Sequence, residues 1–245
     1  FPLYLIGIIL LYPGIYWQSQ IFLISGATLV ILASLIFVIG FTHGAFRIPG
    51  KSVTQLVIKT AVFSFLITVI IGSLLATNLI PQIRLKLLTA RVIWATAGWA
   101  GFLICGISLQ VVPMFFVTRP YPVWIMRFIP SAIWLCCLSG IYNIFFNIRM
   151  DIIVLMITVL FSVFAVTTLI LLRYRKKKLK DSTLYFWNFA MICLTLLPIL
   201  WGYYLFADNG KNPALLFLAG LIFIFGFIIP IMMAMLFKII SFLSW

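Results

Sequence analysis

Runs of about twenty apolar residues recur along this chain, and they constrain its fold more than any other feature. As a helix, such a run crosses ~30 Å of hydrocarbon. A barrel strand would instead alternate in and out over about ten residues. Of the 245 residues, 65% are hydrophobic and only 8% are charged. A soluble domain carries about a quarter charged residues, because its core needs a polar shell. With so little charge, lipid must replace water over most of the surface, where only helices and closed barrels satisfy their own backbone groups. The expected fold class is therefore all-α: a polytopic transmembrane helical bundle of about eight spans.

The runs place the spans at 1–16, 20–41, 53–77, 88–117, 122–146, 152–173, 183–206 and 213–237. Pro13-Gly14 interrupts the first. Turn residues separate the runs: His43-Gly44, Pro49-Gly50, Asn78 to Pro81, Arg119-Pro120 and Asp208-Asn209-Gly210. The connections leave no room for a soluble domain, and no internal repeat is visible, so 1–245 is expected to form a single transmembrane domain. The chain opens at Phe1 without a basic leader. The expectation is an incomplete end on one or both sides rather than a signal peptide.

Charge orients the bundle. The net charge of +14 is concentrated in Arg173, Arg175, Lys176, Lys177, Lys178 and Lys180, directly after an apolar run. A juxtamembrane cluster of this kind meets anionic lipid on the cytoplasmic face, and no nucleic-acid recognition module accompanies it. With loop 174–181 in the cytoplasm, that side also collects Arg47, Lys51, Lys59, Arg119, Arg127 and Lys238, twelve basic residues in all. The five opposite are Arg84, Lys86, Arg91, Arg149 and Lys211. The expected location is a bacterial-type inner membrane, with lipid, other membrane subunits or further copies of the chain as partners. Tyr121 with Trp124, Tyr185 with Trp187, and Trp201 with Tyr203 and Tyr204 fall near helix ends, where amphipathic rings favour the interface. Packing between helices would explain any one of them equally well.

Polar chemistry is scarce. Asp151, Asp181 and Asp208 are the only carboxylates, all at loops or helix ends. Paired-carboxylate catalysis, a carboxylate metal site and carboxylate-driven proton coupling are excluded. His43, the only histidine, is a candidate ligand for haem iron or a metal, although a lone imidazole is more often interfacial. Cys136, Cys137, Met232, Met233 and Met235 offer soft sulfur suited to Cu(I), yet neighbours on a helix point about 100° apart and such residues also serve as packing. Cys105 and Cys193 lie within apolar runs, so a disulfide framework is not expected.

The fourth run has the most features. Ala97 and Gly101 form a small-xxx-small pair that admits a close neighbour. Gln110 and Pro113 place an amide and a helix break near its end, of the kind tolerated against another helix or beside a cavity. Gly98-Trp99, then Gln110-Val111-Val112-Pro113-Met114-Phe115, Thr118 and Tyr121-Pro122 resemble the GWxGLLIxGVxYQVVPMF…T…YP stretch of a group of bacterial membrane proteins related in arrangement to haem–copper oxidase subunit I. The ending, Met235 to Trp245 with Lys238 inside it, is similar to the MLYKIVPFLVWFH segment of the same group. Together they cover roughly 35 residues. The resemblance implies the oxidase-like helical scaffold. It also implies histidines where this chain has Arg91 and Ile93, and one after Trp245; oxidases use several such histidines to hold haem and copper. One histidine cannot, so redox catalysis is not expected.

The expected function is a binding or accessory component, for haem, copper, nitric oxide or a respiratory partner, with no enzymatic chemistry of its own. The candidate ligand-binding residues are His43, Trp99, Gln110, Pro113, Met114 and Lys238. Two alternatives stand beside it. One is a small-molecule permease or channel with helices broken at Pro113 and Pro230 and at Gly98, Gly101, Gly106, Gly220 and Gly226. The other is a structural subunit of a larger membrane complex.

Overall fold

The structure is a computed structural model that describes residues 2–46, 53–78, 80–146, 149–176, 182–207 and 212–243. Arg47, Lys51, Lys177, Lys178, Lys180, Asp181, Asp208, Lys211 and Trp245 lie outside them. Helices account for nearly all the described residues, and no strand occurs among them. They are α1 (Pro2–Tyr16), α2 (Gln20–Phe46), α3 (Val53–Thr77), α4 (Pro81–Phe116), α5 (Val123–Phe145), α6 (Met150–Arg173), α7 (Ser182–Phe206) and α8 (Pro213–Ile240). Seven of them, α2 to α8, are long and apolar enough to cross a membrane. The first run does not meet that standard: α1 has 15 residues, about 22 Å at 1.5 Å per residue, and falls short of the hydrocarbon thickness. The chain is a multi-pass helical membrane protein. Ile21, Leu85 and Phe206 are each 79% exposed, a surface that lipid tolerates and water does not.

Prolines do not break the spans. Pro113, Pro130 and Pro198 lie inside helices, and α8 continues through Pro230. The half-helices expected at Pro113 and Pro230 are therefore absent among the described residues. At Pro230 the reason is local. Its ring would strike the Gly226 carbonyl four residues back in an ordinary α-turn. Directly upstream, Ile222–Ile228 widens to π-helix, and the Ile229 N–H reaches the Ile224 carbonyl five residues away. A second π segment, Trp94–Gly101, lies in α4, where the Phe102 N–H reaches Ala97.

The described chain packs as two compact units, Phe1–Leu103 with Cys137–Ile148, and Ile104–Cys136 with Arg149–Trp245. In the first unit α1 lies against α2 backbone to backbone. A Cβ added at Gly26 would stand 2.9 Å from the Gly7 oxygen and 2.9 Å from the Leu11 nitrogen. One at Gly14 would stand 2.9 Å from the Leu23 nitrogen. Glycine is required at these points for space. Further along the unit, Lys86 Nζ donates to the Ile144 carbonyl at 3.5 Å, which ties the start of α4 to the end of α5.

The second unit is built around α7. Trp187, Met191 and Leu194 on its inner face are at most 1% exposed, as are Phe164 and Leu172 on α6. α8 meets α7 at its π segment, where a Cβ at Gly226 would stand 2.9 Å from both Cβ and Sγ of Cys193. The loop after α4 is pinned to the loop after α6 by the Lys176 N–H, which donates to the Val117 carbonyl at 3.2 Å. Val117 itself has φ 50°, a left-handed conformation that a β-branched residue enters only under strain. At the other end, Trp201 Nε1 donates to the Asp151 carbonyl at 2.9 Å.

Candidate functional site

In the first unit, α3 and α4 approach closely where α4 is widest. A Cβ on Gly98 would lie 3.2 Å from Ser64 Cβ and 3.3 Å from its Oγ. The widened turn carries Trp99 on the adjacent face, 40% exposed. The Trp99 ring sits 5.1 Å from that of Phe65, tilted by 48°. Phe65 meets Phe37 of α2 edge-on at 6.0 Å, and Phe37 meets Phe41 one turn on at 6.2 Å. Four rings from three helices thus form a continuous wall. Tyr4, Leu5 and Ile8 of α1 face it.

Between these walls lies a cleft of about 510 Å³, within the range of small-molecule sites. No charged side chain lines it among the described residues. Its buried hydroxyl, Ser34 Oγ, donates to the Val30 carbonyl of its own helix at 2.8 Å. An aromatic wall and aliphatic neighbours, with no charged side chain among the described lining residues, give a site that can hold an apolar molecule. Among the described lining residues the groups with a transferable proton are the Tyr4 and Ser34 hydroxyls, and no carboxylate or imidazole stands among them to activate either.

The residues singled out from the sequence do not gather in this cleft. Trp99 lines it. His43 is exposed on the last turn of α2 and is not among the lining residues. In the second unit, Gln110 and Met114 are exposed one turn apart on α4, with Pro113 half-buried beside them. Lys238 is half-buried, its Nζ 5.7 Å from the centre of the Phe116 ring, a cation–π distance. Trp187 packs on the same ring edge-on at 6.3 Å, and Phe186 stacks with Phe237 at 6.0 Å. Lys238 is thereby built into an aromatic cluster.

Among the metal candidates, Cys136 is half-buried, Cys137 buried, Met232 exposed and Met235 half-buried. No three His, Cys, Asp or Glu side chains converge on a common point among the described residues. With its single imidazole on an exposed helix end, this donor set does not fit a haem or copper site by itself. Of the basic cluster, Arg173 and Lys176 are exposed, and Arg175 Nη1 turns back to the Leu172 carbonyl at 3.3 Å.

The helix-end aromatics divide. Trp124, Tyr185 and Tyr203 face outward, whereas Tyr121, Trp187 and Tyr204 are buried. Tyr121 stacks on Phe164 at 5.7 Å, nearly parallel, and its hydroxyl bonds Thr168 Oγ1 at 3.0 Å. Burial pushes its phenol well above the usual tyrosine range, and the Thr168 bond opposes that only in part.

Apart from Trp99, sequence reasoning missed every lining residue, Tyr4, Ser34, Phe37, Phe41, Phe65 and Leu103 among them. The only local signal was the i, i+4 pair Phe37 and Phe41 one turn beyond Ser34. In a chain with 17% aromatic residues such a pair singles out nothing. Comparison with known protein families, with curated proteins and with solved structures finds no match for this chain.

Proposed function

We propose that this chain is a multi-pass protein of a bacterial-type inner membrane that holds an apolar molecule in the α1–α4 cleft. It acts as a binding or accessory component without redox catalysis of its own. The observation that carries this proposal is the cleft itself, about 510 Å³ and walled by Phe37, Phe41, Phe65 and Trp99, with no charged side chain among its described lining residues. The two segments resembling the oxidase-like group support a respiratory setting and the corresponding helical scaffold. The excess of basic residues around loop 174–181 supports a cytoplasmic position for that loop.

The test is native mass spectrometry of the protein purified in mild detergent, with lipid extracted and identified. An apolar molecule should co-purify at up to one per chain and be lost from a Trp99→Ala, Phe65→Ala double variant that still elutes as a folded species. A bound molecule retained at full occupancy by that variant would remove the cleft as its site. Alkaline phosphatase fused within 174–181 should be inactive; an active fusion would reverse the orientation.

A further inference from the structure

The first unit carries Arg84, Lys86 and Arg91 on the first turns of α4, yet its sequence contains no Asp or Glu at all. Arg91 stands out among them. It is exposed, and its guanidinium lies flat against α3: a Cβ at Gly72 would meet Cζ at 3.0 Å, Nε at 3.1 Å and Nη2 at 3.2 Å. Gly72 lies five residues before the end of α3, so the charge sits about 8 Å below that helix end. A helix of 25 residues is about 38 Å long; centred on ~30 Å of hydrocarbon, it would put this charge near the hydrocarbon edge, within reach of the headgroup phosphates, rather than in bulk water. A cation held there requires an anion, and no carboxylate of its own unit can supply one.

The same groove leads to the cleft. Along α3, Phe65 is seven residues from Gly72, hence two turns away on the same face and about 10 Å deeper. Along α4, Trp99 lies deeper than Arg91 in the same direction. Arg84 is seven residues above Arg91 on the same face of α4 and is also exposed. A fixed cation at headgroup depth, a second one above it and an apolar cleft below form an amphiphilic path.

We infer that this groove binds an anionic glycerophospholipid, its phosphate at Arg91 and one acyl chain running past Phe65 and Trp99 into the cleft, an assignment that rests on the cleft being an apolar-ligand site. The planar guanidinium pairs with two phosphate oxygens at once. Gly72 is what admits it: any side chain there would lift the guanidinium off α3. Zwitterionic lipid presents the same phosphate with an offsetting choline, so the preference is for net negative charge. A single cation near the headgroups enriches anionic lipid about fivefold.

The experiment uses the full chain in phosphatidylcholine vesicles in which a rising share of the lipid, from none to about a fifth, is exchanged for a dibrominated species. Three probes are compared: dibrominated phosphatidylglycerol, phosphatidylcholine and diacylglycerol. Trp99 quenching is the difference between the wild-type chain and Trp99→Phe. The expected result is quenching of Trp99 by brominated phosphatidylglycerol at severalfold lower mole fraction than by the other two. Arg91→Gln and Gly72→Leu should erase that preference, and Arg91→Lys should keep part of it. Equal quenching by all three lipids, or a preference that survives both Arg91→Gln and Gly72→Leu, would overturn the phosphate assignment and leave the cleft intact. Trp99 unquenched by every brominated lipid would overturn the cleft as an apolar-ligand site, and the inference with it.

Discussion

Gly26→Ala adds one methyl group at the crossing of α1 and α2. That methyl would stand 2.9 Å from the Gly7 oxygen, the Leu11 nitrogen and Leu11 Cγ, where ordinary contact begins near 3.4 Å. Two of the three obstructing atoms are backbone, so no rotamer change relieves them, and α1 must back away by about half an ångström or more. Overpacking of this kind costs about 1–3 kcal/mol, a fall of roughly fivefold to 150-fold in the folding constant. Gly40, on the same helix, has nothing within 4 Å of an added Cβ. Gly40→Ala should therefore gain up to about 1 kcal/mol from helix propensity. The assay is equilibrium unfolding in mixed dodecylmaltoside–SDS micelles followed by circular dichroism. Two Gly→Ala changes on one helix should move the midpoint in opposite directions. The backbone contact of α1 and α2 would be refuted by equal shifts, or by a Gly26→Ala protein as stable as the parent. Because α1 carries Tyr4, Leu5 and Ile8 of the cleft wall, Gly26→Ala should also weaken retention of any co-purifying apolar ligand.

Trp99→Ala removes the ring from Phe65 and should cut ligand retention at least tenfold, while Trp99→Phe keeps a stacked wall and most of the binding; native mass spectrometry distinguishes the two. Tyr121→Phe should cost about 1 kcal/mol at neutral pH through the lost bond to Thr168, measured by the same micelle unfolding. Burial raises the Tyr121 pKa, so the fold holds the phenol proton more tightly than the unfolded chain. That advantage is intact below the ordinary value of 10.0 and declines as pH climbs from there towards the raised value. Tyr121→Phe should flatten this alkaline decline. Val117→Gly should stabilise the chain by about 1 kcal/mol, because glycine occupies φ 50° without strain; a loss of stability would show that the valine side chain contributes more than its backbone costs.

Length and hydropathy made the helices legible. The run 53–77 coincides with α3, and most other boundaries fall within a few residues of those read from the sequence, because continuous apolarity and membrane thickness leave little freedom. α4 was misjudged at its start. Arg84 and Lys86 fell before the run read at 88–117, but they fit a helix that starts several residues earlier, with Lys86 reaching a carbonyl at the end of α5. The aromatic ends were ambiguous for a different reason: Trp187 and Tyr185 are two residues apart and point to opposite environments, and composition alone does not say which face a neighbour covers. Of the candidate site, Trp99 was found through a motif, whereas Phe37 and Phe65 were not. Their significance arises from three helices meeting, which no single run encodes. Pro113 and Pro230 were read as breaks because local rules place them so; both helices continue, α8 by widening its turn first.

The π segments of α4 and α8 have one further consequence. A widened turn holds one residue more than the α-turn it replaces, while the helix on either side keeps its facing. Each is thus a place where the chain can be shortened by a single codon without rotating half a transmembrane helix by 100°. Elsewhere in these spans a one-residue deletion would turn lipid-facing side chains into the packed interior. Chains related to this one should therefore carry their one-residue length differences within 94–101 and 222–228, leaving the flanking faces aligned.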